Sequence, residues 1–173
     1  FNAFEATRHL FQDNWGRIEQ TILQNTQFDL IVVDNIYSAS DFDDERNYEL
    51  KPFLSKVIDI ADIHKSTLLL VTHHKKHKPE EILTTNLVRG GSTLTNAVDV
   101  VLQMSKSQRG PLSLLKLTKT RHGSPNLNKA LGLRIDLDTL WLNNIGPVNE
   151  KTHLTPPEIT EAENILEEIS TVF

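Results

Sequence analysis

Short apolar segments alternate with amphipathic ones in the first half of the chain. Apolar residues at a spacing of three or four predict helices over residues 14–25 and 50–61. The segments FDLIVVDN (28–35) and TLLLVT (67–72) are short, apolar and rich in β-branched side chains or leucine, which is typical of strands. Strands that are apolar at nearly every position predict a parallel sheet covered on both faces, with the first strand ending at Asp34.

The second half of the chain has shorter elements and more turn residues. We predict a short helix over 92–97 and strands over 98–104, 112–123, 132–138 and 139–144. The inward-facing residues of the second of these strands are predicted to be Leu112, Leu114 or Leu115, and Leu117. Because short turns join the last strands, we expect an antiparallel extension at one edge of the sheet. The predicted fold class is α/β, a mostly parallel sheet flanked by helices.

The C-terminal segment TPPEITEAENILEEISTVF carries the signals of a helix start. Thr155 suits the N-cap, Pro156 suits the first helical position, and Glu158 completes a capping box. We predict that residues 151–173 contain a helix that docks on the core or leads into a further module. Residues 1–150 then form the main domain.

The composition excludes several classes of protein. A chain of 173 residues suits one domain, and the absence of cysteine excludes disulfides and cysteine-ligated metals. No apolar stretch approaches the about 20 residues that a membrane span needs. The net charge of −5 argues against binding nucleic acid through bulk charge, although a local basic loop can still bind it. We expect a cytoplasmic protein.

Polar side chains gather where predicted strands end. Asp34 and Asn35 follow the first strand, the pair His73 and His74 follows the second, and Lys119-x-Arg121-x-Gly123 follows a later one. Ligands of open α/β sheets bind at the carboxyl ends of the strands. These positions are therefore the candidate site.

The same segments resemble, in order, the motifs of RecA-like ATPases. LIVVDN is similar to a Walker B strand, and LLLVTHH is similar to the strand that ends in a γ-phosphate sensor. RGGSTLTNAVDVVLQM resembles the segment after the second DNA-binding loop, and KLTKTRHG resembles the element that hexameric helicases insert into a neighbour's nucleotide site. The resemblance is closest to RepA-like and DnaB-like hexameric helicases and covers about residues 14–145. It implies a RecA-like domain, of which residues 1–150 are the C-terminal portion.

The resemblance implies a role for each of these residues. Asp34 would hold Mg²⁺ and its water shell against the phosphates of ATP, with Asn35 beside it. His73 or His74 would sense the γ-phosphate. Lys119 and Arg121 would reach the nucleotide of a neighbouring subunit, presented by a turn at Gly123. The expected cofactors are ATP and Mg²⁺, and the expected assembly is a homo-oligomer, a hexameric ring.

A basic loop follows the predicted sensor. The resemblance places single-stranded DNA at this loop, and its cations, Lys75, Lys76, Lys78 and Arg89, suit phosphate contacts that do not depend on base sequence. The loop contains no aromatic residue, so the sequence does not support stacking of bases on it.

Each assignment has a simpler alternative. Asp34 can serve only to start a turn, and the two histidines can be a solvated strand end or, with His77, metal ligands. The basic loop, the Lys119–Arg121 strand end and the acidic loop DFDDERN (41–47) can all be solvated charges.

One motif of the family is missing. Gly-x-x-x-x-Gly-Lys-Ser/Thr, the loop that cradles phosphates, does not occur in the sequence. In the family this loop and the catalytic glutamate precede Walker B, and we do not assign the glutamate's role to Glu5, which lies upstream here. We therefore expect an incomplete domain that begins after these elements and is inactive alone.

The predicted function is an ATP-dependent oligomeric motor of the helicase type that acts on single-stranded DNA, in replication or related DNA metabolism. Two alternatives stay open. One is a RecA-like regulatory ATPase without helicase activity. The other is a non-catalytic split or degenerate domain that binds nucleic acid or a partner protein.

Overall fold

The computed structural model describes residues 20, 24, 28–39, 47–123 and 129–158. They belong to two compact units. Unit 1 comprises the chain up to Lys75 together with Val88–Ala97, and unit 2 comprises Lys76–Leu87 together with the chain from Val98 onward. The predicted helix over 14–25 lies outside the described residues except for Gln20 and Gln24, which are helical.

The described part of unit 1 contains two parallel strands and, apart from the helical residues Gln20 and Gln24, three helices. The elements are β1 (Leu30–Val33), α1 (Ile36–Ala39), α2 (Asn47–His64), β2 (Thr67–Leu70) and α3 (Gly91–Ala97). Strand β1 pairs with β2 in parallel, with Val33 opposite Leu70. The two predicted strands and the predicted helices over 50–61 and 92–97 are confirmed, whereas α1 was not predicted. Helix α2 extends three residues beyond the prediction at each end.

Helix α2 provides most of the core of unit 1. Its buried apolar residues recur at helical spacing and are Leu50, Phe53, Leu54, Val57, Ile60 and Ala61. The helix ends at Lys65, which has a φ of 53°, and the Ser66 N–H donates to the Ala61 carbonyl over 2.8 Å. This six-to-one bond is the Schellman type of helix stop.

The prediction of a sheet covered on both faces is wrong for the described strands. Ile31 and Leu68 lie opposite each other on a half-buried face, whereas Leu30, Val32 and Leu69 are about half exposed, at 52%, 51% and 48%. The reason is that side chains alternate across a strand, and packing covers only one of the two faces here.

Unit 2 is built on an antiparallel sheet. Its elements are a 3-10 turn (Thr85–Leu87), the strands β3 (Val100–Lys106), β4 (Ser113–Thr120), β5 (Ala130–Ile135) and β6 (Leu142–Val148), and helix α4 (Glu150–Leu154). The four strands lie in sequence order, each antiparallel to the next. The mixed α/β fold class is confirmed, and the described antiparallel strands form a sheet of their own.

The face of β4 that is buried differs from the prediction. Leu112, Leu114 and Lys116 are buried, whereas Leu115 and Leu117 are only half-buried. The prediction of Leu117 as inward was wrong because residues two apart share a face, so Leu114 and Leu117 cannot both point inward. Leu112 and Leu114 pack with Ala130 of β5 in a buried cluster that also contains Leu154 of α4.

The last two strands and the C-terminal helix also differ from prediction. Strand β5 begins and ends earlier than expected, and β6 begins later, so that residues 136–141 form the turn between them. Thr155 ends α4 as its C-cap, with its N–H donating to the Lys151 carbonyl, a role the N-cap prediction did not include. Pro157 and Glu158 are helical, and the remainder of the predicted helix lies outside the described residues. No helix within the described ranges is long and apolar enough to span a membrane.

Candidate functional site

Asn35 and His73 meet at the carboxyl ends of β1 and β2. Asn35 Nδ2 lies 3.2 Å from His73 Nε2, although 38 residues separate them in the chain. The parallel ladder continues beyond the strands, since the Val71 N–H donates to the Val33 carbonyl and the Ile36 N–H donates to the Val71 carbonyl. This ladder fixes the two strand ends in register, so the side chains that follow them are held together.

The hydrogen bonds of Asn35 define the roles of both side chains. The Ser38 N–H donates to Asn35 Oδ1 over 2.9 Å, at the start of α1. The amide nitrogen of Asn35 is therefore the group that faces His73 and can only donate. His73 Nε2 must accept, which assigns the ring proton to Nδ1 in the neutral imidazole. Asp34, next to Asn35, is exposed at the bend after β1.

Backbone pairing next to His73 closes the basic loop. His74 forms an antiparallel bridge with Val88, and the Arg89 N–H donates to the His73 carbonyl over 3.1 Å. The two ends of the loop are thereby tied together at the end of β2. His74 is half-buried in this pairing, whereas His73 is exposed. Of the two histidines, His73 is the one whose ring contacts Asn35, the residue that follows Asp34.

The cations predicted to bind nucleic acid have different surroundings. The Arg89 guanidinium carbon lies 4.2 Å from the ring centroid of Tyr37, which is a cation–π geometry. A Cβ added to Gly91 would lie 3.9 Å from Lys75 Nζ. Lys76 and Lys78 are exposed and belong to unit 2. Lys75 and Arg89 are therefore in the same unit as Asn35 and His73.

Lys119 and Arg121 lie at the end of β4 and contact the segment before β3. Lys119 Nζ donates to the Val98 carbonyl over 2.8 Å, and Arg121 Nη1 lies 2.7 Å from Asp99 Oδ1. The side chains of that ion pair are both more than half exposed. Gly123 follows with a φ of 113°, a conformation that favours glycine. Both cations belong to unit 2.

The donor set at Asp34 suits a nucleotide-bound magnesium ion better than a metal cage built by the protein alone. Among residues 28–39, 47–123 and 129–158, no three His, Asp or Glu side chains are grouped to hold a metal, so His73 and His77 have no third ligand there. Mg²⁺ commonly takes one or two carboxylates, several waters and the phosphates of its substrate. One exposed carboxylate at a strand end fits that pattern.

A groove of about 520 Å³ lies between α2 and α3 and is lined by residues such as Lys51 and Asn96. None of the predicted site residues lines it. The candidate site is therefore the end of the parallel strands, not this groove.

Comparison with known families supports part of this assignment. A family model described as an AAA domain matches residues 3–79, which is less than half of the chain. The matched segment contains β1, Asp34, Asn35, β2 and His73, but neither Arg89 nor Lys119 nor Arg121. No curated protein matches the chain. The similarity supports a P-loop-like ATPase family and indicates a nucleotide-binding function of the ATPase type.

Sequence reasoning found both partners of the Asn35–His73 contact, but did not predict the contact itself. Their positions after successive parallel strands were the available signal. The roles of Tyr37 beneath Arg89 and of Asp99 beside Arg121 were missed, because neither residue lies near its partner in the chain.

Proposed function

We propose that this chain is part of an ATP-dependent oligomeric motor that acts on single-stranded DNA. The observation that carries the proposal is the contact between Asn35 and His73 at the carboxyl ends of parallel strands. Such an edge is where α/β proteins bind nucleotides. The exposed ring of His73 contacts Asn35, which directly follows Asp34, the residue whose carboxylate would hold a nucleotide-bound cation.

Asp34 and His73 have separate roles in this proposal. Asp34 would hold Mg²⁺ through water, and the ion would supply charge neutralisation at the phosphates. Asn35 keeps the His73 ring in one orientation and tautomer. His73 would donate from Nδ1–H to a terminal phosphate oxygen and would lose that bond when the phosphate leaves.

The backbone around His73 connects this sensing to the basic loop. His73 and His74 pair with Arg89 and Val88, which are the residues where the loop returns. A displacement of His73 therefore moves both ends of the loop. Lys75, Lys76, Lys78 and Arg89 contact the DNA backbone, so DNA affinity follows the state of the nucleotide.

In the oligomer, Lys119 and Arg121 serve the nucleotide site of a neighbouring subunit, and six subunits form a ring. The ion pair of Arg121 with Asp99 does not oppose this role, because exposed pairs contribute only about 0–1 kcal/mol. A phosphate can replace the carboxylate at little cost. The phosphate loop that turnover also requires does not occur in this sequence.

The decisive experiment is ATP hydrolysis by the full natural protein, with and without single-stranded DNA, in a Lys75→Ala/Lys76→Ala/Lys78→Ala variant. We expect basal turnover to be retained and stimulation by DNA to be lost. A matched control removes three exposed lysines of unit 1 instead, Lys51, Lys56 and Lys65, and should keep the stimulation. Equal stimulation in both variants would contradict the DNA-motor proposal.

A second candidate is a RecA-like regulatory ATPase that does not move DNA. The contacts of Lys119 and Arg121 with Val98 and Asp99 are compatible with it, because they give these cations a role within their own chain. In that case Arg121→Ala would leave turnover unchanged, whereas the motor requires turnover to collapse while nucleotide still binds.

A further inference from the structure

The hairpin formed by β5 and β6 projects beyond the rest of the unit 2 sheet. Strand β4 pairs with β5 only from Leu131 to Leu133, whereas β5 and β6 pair as far as Ile135 and Leu142. Residues 134–143 are therefore a two-stranded arm, and no other described strand pairs with it. A two-stranded ribbon is marginally stable in water without packing against something else.

The arm ends in large apolar side chains that face solvent. Leu137, Leu140 and Trp141 are 83%, 73% and 75% exposed. The turn that presents them is nonetheless well defined. The Asp136 N–H donates to the Trp141 carbonyl, the Leu140 N–H donates to the Asp136 carbonyl, and Leu140 has a φ of 59°. An ordered turn that exposes three large apolar groups is typical of a contact surface.

The same unit also has an apolar sheet face that is incompletely covered. Met104, Leu115 and Leu131 lie side by side across three strands in the pairing register. Leu102 lies opposite Leu117 in the next row. Together these five residues form what we call the outer face, on which Leu102 and Met104 are 59% and 47% exposed. The opposite side of the sheet carries the buried core.

The charges at the two surfaces are opposite. Asp136 and Asp138 lie in the turn of the arm, beside the exposed apolar residues. Lys106 lies two residues after Met104 on β3, so it shares the outer face and is exposed. A carboxylate on the arm can therefore meet an ammonium at the edge of the face. Complementary charges orient an apolar contact and reject wrong partners.

We propose that the arm of one molecule docks on the outer face of a second copy of this chain. Leu140 and Trp141 cover Leu102 and Met104, and Asp138 pairs with Lys106. The contact joins two different surfaces, so it is heterologous and repeats from copy to copy. It deepens the oligomeric part of the proposed function by naming the contact, but its test needs neither nucleotide nor DNA.

The test uses two variants of the full natural protein in analytical ultracentrifugation. The arm variant is Leu140→Ser/Trp141→Ser, and the face variant is Leu102→Ser/Met104→Ser. Each should be monomeric alone, because each lacks one half of the contact. An equimolar mixture should form a one-to-one dimer and nothing larger, because it contains one intact arm and one intact face. A mixture that stays monomeric, or variants that assemble like the natural protein, would overturn the proposal.

Charge exchange provides an independent test at exposed positions that leave the fold intact. Asp138→Lys or Lys106→Glu alone should weaken association about fivefold. The double variant should restore it. Restoration is expected only if both residues meet in the same contact, so two additive losses would contradict the proposed pairing of Asp138 with Lys106. If the natural protein assembles in this way but does not hydrolyse ATP, the proposed function is contradicted and the docking proposal is not.

Discussion

Lys116 and Glu150 form an ion pair in which each side chain is only 5% exposed. Both bind the backbone of the same third residue. The Leu83 N–H donates to Glu150 Oε1 over 2.6 Å, and Lys116 Nζ donates to the Leu83 carbonyl over 2.9 Å. The pair thereby fixes the segment 76–87, at Leu83, to β4 and to the first residue of α4. All of these groups lie within unit 2.

Breaking this pair should strongly destabilise unit 2. Lys116→Met should cost about 3–5 kcal/mol of unfolding free energy, because it leaves a buried carboxylate without its partner. Adding Glu150→Leu should recover part of the loss, since no charge is then buried. Urea unfolding of the three proteins measures this. The control Lys106→Met, at an exposed position, should change stability by no more than about 0.5 kcal/mol. A double variant less stable than Lys116→Met would contradict the charge-burial explanation.

Asp136 should make the turn of the arm sensitive to acid. The backbone N–H of Thr139, followed by that of Asp138, donates to this carboxylate and lowers its pKa below the usual value of 3.8. Because the folded pKa is lower than the unfolded one, the stabilisation is fully present above the unfolded pKa. It is lost as the pH falls through the folded pKa. Trp141 fluorescence in a Trp15→Phe background should follow that loss.

The matched variant for this titration is Asp136→Asn, which removes the charge but keeps an acceptor oxygen. Its turn should show no transition in that acidic window, while being weaker near neutral pH. A transition of unchanged size in Asp136→Asn would assign the titration to another group.

The Asn35–His73 contact should be needed for nucleotide sensing and not for folding. Asn35→Asp keeps the acceptor for the Ser38 N–H but replaces the donor that faces His73. His73 must then turn away, or carry its one ring proton on Nε2 to donate to the new carboxylate, and in both cases the oriented Nδ1–H is lost. We expect ATP turnover by the full natural protein to fall about tenfold, with DNA coupling reduced and unfolding free energy changed by less than about 1 kcal/mol.

A control for that variant is Asn96→Asp, an exposed amide of unit 1. It should leave turnover and coupling unchanged. Normal coupling in Asn35→Asp would show that the contact only packs the strand ends.

Gly90 should tolerate a side chain less well than Gly110. Both have positive φ, at 97° and 80°. An added Cβ at Gly90 would lie 3.1 Å from Leu94 Cβ and 3.3 Å from Leu50 Cδ2, whereas Gly110 has open space. Gly110→Ala should cost about 1 kcal/mol for backbone strain alone, and Gly90→Ala about 2–4 kcal/mol because crowding is added. If thermal unfolding shows the same loss of stability for both variants, Leu94 moves aside and the added Cβ at Gly90 causes no crowding.

The sequence by itself determined helix α2 and the two strands of unit 1, but not the short helix α1. Helix α2 carries apolar residues at positions 50, 53, 54, 57 and 61, and a helical period is readable without any knowledge of the partner surface. Strands β1 and β2 could also be predicted from the sequence, because apolar segments of this length that are bounded by polar residues form few other structures. The order of the motifs also predicted which residues follow the two strand ends.

The sequence was less informative about unit 2, where the face of each strand depends on pairing. In LSLLKLTK apolar side chains occur on both faces, so the pattern alone cannot select the buried one. The structure selects the face of Leu112 and Leu114, which requires Lys116 to be buried. That choice is stable only because Glu150, 34 residues later, supplies the opposite charge. Residues 139–141 (TLW) were predicted to be a strand, whereas they form a turn. Leucine and tryptophan are common in strands, but they also occur in exposed turns that contact a partner.

Only the tertiary structure decided which polar residues act together. Asn35 meets His73 because β1 and β2 pair in parallel and in one register, and register depends on contacts between distant segments. Lys119 and Arg121 contact Val98 and Asp99 for the same reason, through the pairing of β3 with β4. Local sequence fixes helical periods and strand lengths because these depend on neighbours in the chain. Side-chain partners depend on which distant segments share a sheet, and that is a property of the folded molecule.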